Sequence, residues 1–371
     1  MDKLRILLIQ GGISGEHEVS INSGRQILEQ MDTDKYELSV CTIQKDGLWK
    51  FGNMDKAYSL GEALVKIDGN FDLAFIALHG AFGEDGQIQS IFDTTKLPYT
   101  GSGRESSVLA INKEISSNLF ANHGLTIPRF KLVNQTNDLA KELGFDWPLI
   151  IKPCHGGSSV DTLRANSLPE ARGTIDRVLA SGDGVIIQEL IVGREFTCGI
   201  LDDDNGKPVA LPPTEIIPKH GVFFDYESKY VAGASEEITP PNLPEEQIKE
   251  IQALALRAHL ILGCSGMSRS DFILRDGIFY ILETNTIPGM TVTSLLPQAA
   301  KVAGISFSQM LDLIINSALR SAKWPRPLSW PASWPWCHTL VNRLGNSRSA
   351  CRFCILSHCL TKLTARFSGS S

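Results

Sequence analysis

No stretch of this 371-residue chain approaches the roughly eighteen consecutive apolar residues of a membrane-crossing helix. Long polar tracts are missing too, and with 43% hydrophobic and 20% charged residues the composition excludes wholesale disorder. The opening run MDKLRILLIQGG lacks a cleavage pattern and stops at two glycines. It is expected to form a first core strand and not a signal peptide, with a cytoplasmic location following from that. A net charge of −6 excludes a general nucleic-acid binder.

Several signatures are absent. No GxxxxGK[ST] phosphate loop occurs, and Gly11, Gly12 and Gly15 do not fit GxGxxG, so a nicotinamide enzyme is not expected. His17-Glu18 lacks the second histidine of HExxH, which removes a zincin. Cys41, Cys154, Cys198 and Cys264 show no metal or redox spacing and read as reduced thiols.

Acids are absent from residues 321–371, which hold seven of the 35 Lys/Arg, four of the six tryptophans and four of the eight cysteines. The remaining 320 residues carry 28 basic and 41 acidic side chains, a net −13. The tail is a different kind of sequence. A zinc site from Cys337, Cys351, Cys354 and His358 or Cys359 is one reading, and a membrane-surface or protein-binding tail is another. An unselected, poorly ordered extension fits the missing acids best.

The apolar segments LRILLIQ (4–10), YELSVCTIQ and FDLAFIALHG read as strands, with helices after GGISGEHEVS (to about Met31) and within GEDGQIQSIFDTTKL. A short loop region is expected near Gly47–Asn53. This alternation indicates a doubly wound parallel-sheet α/β domain over 1–103. A single helix over 105–122 then opens a small α+β unit (104–192) with strands in PRFKLV, WPLIIKP and GVIIQELI. A third unit (193–320) holds GREFTCGIL, a helix near 244–262, a hairpin SRSDFILRDGIFYILETN and two terminal helices.

The hairpin carries chemistry. A three-residue turn (Asp276, Gly277, Ile278) sets Asp271 opposite Glu283 and Arg269 opposite Asn285, with Phe272, Leu274, Tyr280 and Leu282 on the greasy face. A two-residue turn would split the polar set between both faces. Two carboxylates and a carboxamide on one face suit a hard cation, Mg2+ or Mn2+, and such an ion points to a nucleotide. The competing reading is a solvated surface hairpin with a salt bridge to Arg269. In PLIIKPCHGGSS, Lys152 ends an apolar strand before a Gly156-Gly157-Ser158-Ser159 turn whose N–H groups and hydroxyls can close around phosphate. Glu16 at a helix start either complements the helix dipole or grips an ammonium group. His79 stands just past a strand's C-terminal end, the ligand edge of an open α/β sheet, in a structural or a functional role.

Together GGISGEHEVS, ALHGAFGEDG, LPYTGSG, the KP and GGSS pair, FFDYESKY, SRSDF and LETNTIPGMT resemble, in order and spacing, the D-alanine–D-alanine ligases of the ATP-grasp superfamily. The resemblance covers residues 4 to about 320. It implies an ATP-grasp fold, two α+β subdomains clamping ATP, behind the N-terminal domain. Joining of two D-alanines through an acyl phosphate, for peptidoglycan precursor synthesis, is the implied reaction. Asp271, Glu283 and Asn285 would hold two Mg2+ or Mn2+ ions, while Lys113, Lys152 and Lys229, with Gly156, Gly157 and Ser159, would contact phosphates. Glu189 to Ile191 would meet adenine through the backbone, and Glu195 the ribose.

By the same resemblance Glu16 grips the first ammonium, tied by Ser158 and Tyr230, and His79 lies near the first carboxylate. Arg269 and the Gly289 N–H would stabilise the oxyanion, and Ser294 would bind the second carboxylate. VFFDYESKYVAGASE becomes a closing loop, and Tyr230 within it favours an amine as second nucleophile. Homodimers are common in the family. The departures are Asn112 where Asp is frequent, Asp161 where Gly is usual, and the tail. The alternatives are another ATP-grasp carboxylate–amine ligase, such as a D-alanyl-D-lactate type, and a nucleotide-binding relative without catalysis.

Overall fold

The computed structural model describes residues 3–52, 54–135, 146–156, 162–219 and 235–322. The expectations for Gly157, Ser158, Ser159, Asp161, Lys229, Tyr230 and the tail lie outside these residues. Three sheets organise the rest.

The first contains β1 (Leu4–Gly11), β2 (Tyr36–Ile43), β3 (Trp49–Phe51), β4 (Ala57–Tyr58) and β5 (Leu73–Ile76), with α1 (His17–Gln30), α2 (Leu60–Ile67) and α3 (Gln87–Thr95) between and after them. Its order is β4-β3-β2-β1-β5. Strand β1 runs parallel to β2 and β5, and Ile6 through Ile9 are all buried, as expected for a strand covered on both faces. The expected loop near Gly47–Asn53 is instead an antiparallel edge: β3 pairs with β2 and with β4. Trp49 and Phe51 are buried there, and three residues are too few to display a periodicity.

One helix was expected over 105–122; the structure has two, α4 (Arg104–Ile111) and α5 (Lys113–Asn122). Asn112 separates them at φ −82, ψ 102, and its Oδ1 accepts the Ile115 N–H at 2.9 Å. An asparagine at this point caps the second helix better than it continues the first. An antiparallel sheet, β6-β9-β7-β8, follows from β6 (Phe130–Val133), β7 (Leu149–Pro153), β8 (Leu163–Ala165) and β9 (Val185–Glu189). Helix α6 (Leu168–Ala180) packs on it, and Leu149, Ile151, Ile175 and Ile187 form its own core.

The third sheet holds β10 (Arg194–Asp202), β11 (Pro208–Ala210), β12 (Thr214–Pro218), β13 (Ser235–Ile238), β14 (Met267–Arg275) and β15 (Ile278–Asn285). Its path is β13-β12-β10-β14-β15, with β11 on β10. Helix α7 (Glu245–Ile261) covers it, and Phe196, Ile251, Phe272 and Ile281 share a core with Ala110 and Phe120 of α4 and α5.

The hairpin turn differs from expectation. Arg275 pairs with Ile278, so the turn has two residues, Asp276 (φ 52) and Gly277 (φ 79). Positive φ at both positions is the backbone of the tight hairpin turn that matches strand twist. Phe272 then pairs with Ile281, but Asp271 pairs with Glu283 and Arg269 with Asn285. Leu282 is the extra residue of a β-bulge, and it restores the expected polar pairing. The apolar face accordingly holds Phe272, Leu274, Phe279 and Ile281; Tyr280 and Leu282 are not part of it.

Helices α8 (Leu295–Val302) and α9 (Phe307–Ala322) close the described chain. Their Leu296, Met310, Leu311, Ile314 and Ile315 join the core of the first sheet. Asp312 of α9 accepts hydrogen bonds from Lys35 Nζ and the Tyr36 hydroxyl, each at 2.7 Å. Among the described residues no single helix is long and apolar enough to cross a membrane.

Candidate active site

The shared core brings the ends of β1 and β5 against the loop that follows β15. Ser23 of α1 fastens this junction: its Oγ lies 3.0 Å from His79 Nε2 and accepts the Met290 N–H at 3.2 Å. His79 Nδ1 is 3.2 Å from the Ile287 carbonyl and 3.7 Å from Glu84 Oε1. Both His79 and Glu84 are buried. Burial alone would lower the His79 pKa, but its hydrogen bond and charge interaction with Glu84, helped by Glu16, raise it. Burial, with Glu16 adding repulsion, pushes the Glu84 carboxyl up.

Glu16 occupies the N-cap position of α1, yet its side chain makes no capping bond to that helix. A Cβ placed on Gly80 (φ 71) would lie 2.6 Å from Glu16 Oε2, so glycine is what lets this carboxylate sit beside His79. On the opposite wall, a Cβ on Gly289 would lie 2.7 Å from Ser294 Oγ. Ser294 Oγ itself accepts the Thr291 N–H at 2.9 Å, which fixes it at the start of α8.

A cavity of about 100 Å³ joins these parts, lined by Glu16, His79, Lys113, Gly156, Arg269, Glu283, Asn285, Gly289 and Ser294. A larger cavity of about 450 Å³ opens beside it, lined by Lys152, Glu189, Ile191, Glu195, Asp271 and Leu282. Glu16, Lys113, Gly156 and Glu283 border both. Every sequence-derived candidate within the described residues therefore borders one of two adjoining spaces.

Where they adjoin, Asp271 and Glu283 stand opposite each other. Asp271 accepts from Arg269 Nε at 3.1 Å and Nη2 at 3.2 Å, and from Thr197 Oγ1 at 2.7 Å. Lys113 Nζ lies 4.0 Å from Glu283 Oε2 and donates to the Gly156 carbonyl. Asn285 Oδ1 accepts the Ile287 N–H at 2.8 Å, which orients the carboxamide and leaves its second lone pair for another partner. Two carboxylates and one amide oxygen form an all-oxygen donor set, which fits a hard divalent cation and does not suit zinc.

Sequence reading assigned no role to Glu84 or Glu237. The first stands inside HGAFGEDG, and the partnership with His79 is visible only after Gly80 and Phe82, both at φ 71, fold that segment back. Glu237 borders the smaller cavity and accepts from Gln298 Nε2 at 2.7 Å, a meeting of β13 and α8 that no spacing announces.

Comparison with known proteins agrees with this geometry. Residues 5–102 match the family model described as D-ala D-ala ligase N-terminus, and residues 119–316 match D-ala D-ala ligase C-terminus. The chain is 40% identical to a D-alanine–D-alanine ligase of Leptospira biflexa over 349 residues, covering 86% of this chain and all of that one. It is 38% identical to the ligase of Geobacter sulfurreducens, covering 85% and 94%. Among solved structures, the ATP complex of the Bacillus anthracis D-alanine–D-alanine ligase superposes with a TM-score of 0.71 at 33% identity, covering 87% and 99%. The VanG D-Ala:D-Ser ligase of Enterococcus faecalis gives 0.73 at 31% identity, covering 85% and 100%. The chain belongs to the D-alanine–D-alanine ligase family.

Proposed function

We infer that the protein is an ATP-dependent ligase that joins two D-alanine molecules into D-alanyl-D-alanine, the dipeptide of peptidoglycan precursors. The observation that carries this reading is the opposed pair Asp271 and Glu283 at the border between a small polar cavity and a larger nucleotide-sized one. Phosphoryl transfer has to cross that border.

A carboxylate oxygen is a poor leaving group, so the first D-alanine carboxylate attacks the γ-phosphate of ATP; the bond to the β,γ-bridging oxygen breaks, ADP leaves and an acyl phosphate forms. The amine of the second D-alanine then attacks the acyl carbon, and phosphate departs with the C–O bond's electron pair. Glu16 holds the first ammonium, and His79, whose pKa Glu84 raises, faces the first carboxylate. Arg269 and the Gly289 N–H receive the negative charge that develops on the acyl oxygen. Ser294 holds the second carboxylate. Lys113 and Lys152 neutralise phosphate oxygens, the Glu189–Ile191 segment meets the adenine edge, and Glu195 the ribose.

Asp271, Glu283 and Asn285 would hold Mg2+ or Mn2+, two ions in the family's manner, which when bound screen the phosphate charge. Gly157, Ser158, Ser159, Lys229 and Tyr230 take the roles the resemblance implies. The working division is 1–103 for substrate, 104–192 for nucleotide and 193–320 for metal and chemistry. A homodimer in the cytoplasm completes the reading.

The test is phosphate release with ATP and Mg2+ on D-alanine, L-alanine, and D-alanine mixed with D-lactate or D-serine. Turnover specific to D-alanine supports the reading. Release only with a mixture assigns a different second substrate, for which the likeness to a D-Ala:D-Ser ligase is the relevant observation. ATP binding without turnover removes the enzyme.

A further inference from the structure

At the rim of the larger cavity, away from the opposed pair Asp271 and Glu283, three metal-binding side chains meet beside the glycine-serine segment. Cys154 and His155 directly follow β7, and Asp183 stands in the turn that enters β9. One sulfur, one imidazole nitrogen and one carboxylate oxygen all lie within 4.8 Å of one another. Among the described residues no other group of three His, Cys, Asp or Glu side chains converges this closely.

Backbone bonds force the convergence. The Cys154 N–H donates to the Gly184 carbonyl at 2.8 Å, extending the β7–β9 ladder, and the His155 N–H donates to Asp183 Oδ2 at 3.0 Å. His155 Nδ1 is 2.7 Å from Asp183 Oδ1, while its Nε2 is 2.9 Å from Asn112 Nδ2. Asn112 Oδ1 accepts from Cys154 Sγ at 3.5 Å. The imidazole is thus held through both ring nitrogens, by Asp183 and by Asn112, and a bound cation takes the place of one of these two hydrogen bonds.

We propose that Cys154, His155 and Asp183 form a binding site for a zinc-class divalent cation, distinct from the oxygen-only site at Asp271, Glu283 and Asn285. A thiolate and an imidazole select a borderline-soft ion over Mg2+. Zinc at about 2.3 Å from sulfur and about 2.0–2.1 Å from nitrogen sets its ligand atoms roughly 3.5 Å apart, so the three side chains need close by only about 1 Å. His155 and Asp183 also border the larger cavity. Binding releases the thiol proton and cross-links the end of β7 to the turn before β9.

The test is titration of the full chain with Cd2+, read by thiolate-to-metal charge-transfer absorbance, with Zn2+ as competitor. Cys154→Ser, His155→Ala and Asp183→Asn are compared with the parent in excess Mg2+. The four tail cysteines contribute their own absorbance, so the decisive quantity is the number of equivalents bound. The expected result is one equivalent fewer in Cys154→Ser, at least tenfold weaker binding of that equivalent in His155→Ala, and no displacement by Mg2+. Equal stoichiometry in the parent and Cys154→Ser overturns the proposal, as does unchanged affinity in His155→Ala. His155 is an exposed position whose truncation leaves the core untouched, and none of these readouts depends on ligation.

Discussion

Asp271 faces Glu283 across the β14–β15 hairpin because Leu282 is an extra residue on β15. Counted from the two-residue turn alone, Asp271 would meet Leu282, and the carboxylates would point to opposite faces of the sheet. The bulge also turns Leu282 toward the larger cavity. Bulges recur beside active sites for this reason: one added residue re-aims a side chain without rebuilding the strand.

Glu283→Ala should abolish measurable ATP turnover while the fold survives, since Glu283 is only partly buried. The expected loss is on the order of 10²–10³-fold or more in phosphate release, the scale of removing one electrostatic contact to a transition state. Near-ultraviolet circular dichroism checks the fold. Unchanged turnover would remove the metal assignment.

Gly80→Ala adds a Cβ 2.6 Å from Glu16 Oε2 at a residue with φ 71. The left-handed backbone alone costs roughly 1–2 kcal/mol, and Glu16 must move from His79. Steady-state kinetics should show a raised KM for D-alanine with a small change in the KM for ATP. Equal changes in both would place Glu16 elsewhere in the reaction.

Glu84→Gln removes the carboxylate that raises the His79 pKa against the effect of burial. In the parent, His79 keeps its charge until pH rises through that raised value. In the variant the charge is lost at lower pH, so the alkaline limb of kcat/KM for D-alanine should move toward acid. A pH profile that does not move would detach Glu84 from His79.

His259 of α7 is buried against Ser268 at 2.7 Å, and burial lowers its pKa from 6.5 to about 4. The unfolded chain takes up this proton as pH falls below 6.5, whereas the folded protein resists until about 4. The full contribution to stability is thus present above pH 6.5 and declines across that window, by on the order of 3 kcal/mol at the lower end. Urea unfolding at several pH values should show the decline in the parent and a flatter profile in His259→Asn.

Parts of the fold were legible because they rest on local pattern. Ile6–Ile9, Leu149–Ile151 and the alternation of β14 announce strands through runs of apolar residues. Strand β3 and the break at Asn112 were not legible. The first owes its existence to Trp49 and Phe51 reaching a core built by distant residues, the second to a side chain capping its own following turn. The polar pairing of the hairpin was expected in the right register, but with a three-residue turn in place of two residues plus a bulge.

By itself the amino-acid sequence determined the chemistry of the donors: carboxylates at 16, 271 and 283, an amide at 285, and lysines at 113 and 152. Those identities are local and fixed by the chain. Proximity is not. Glu16 and His79 reach Gly289 and Ser294, more than 200 positions away, only because α8 and α9 share a core with the first sheet. The bond from Ser23 to Met290 and those from Lys35 and Tyr36 to Asp312 then hold that packing in register. No periodicity encodes such contacts, because the free energy of burying two apolar faces together depends on surfaces that exist only once each has folded.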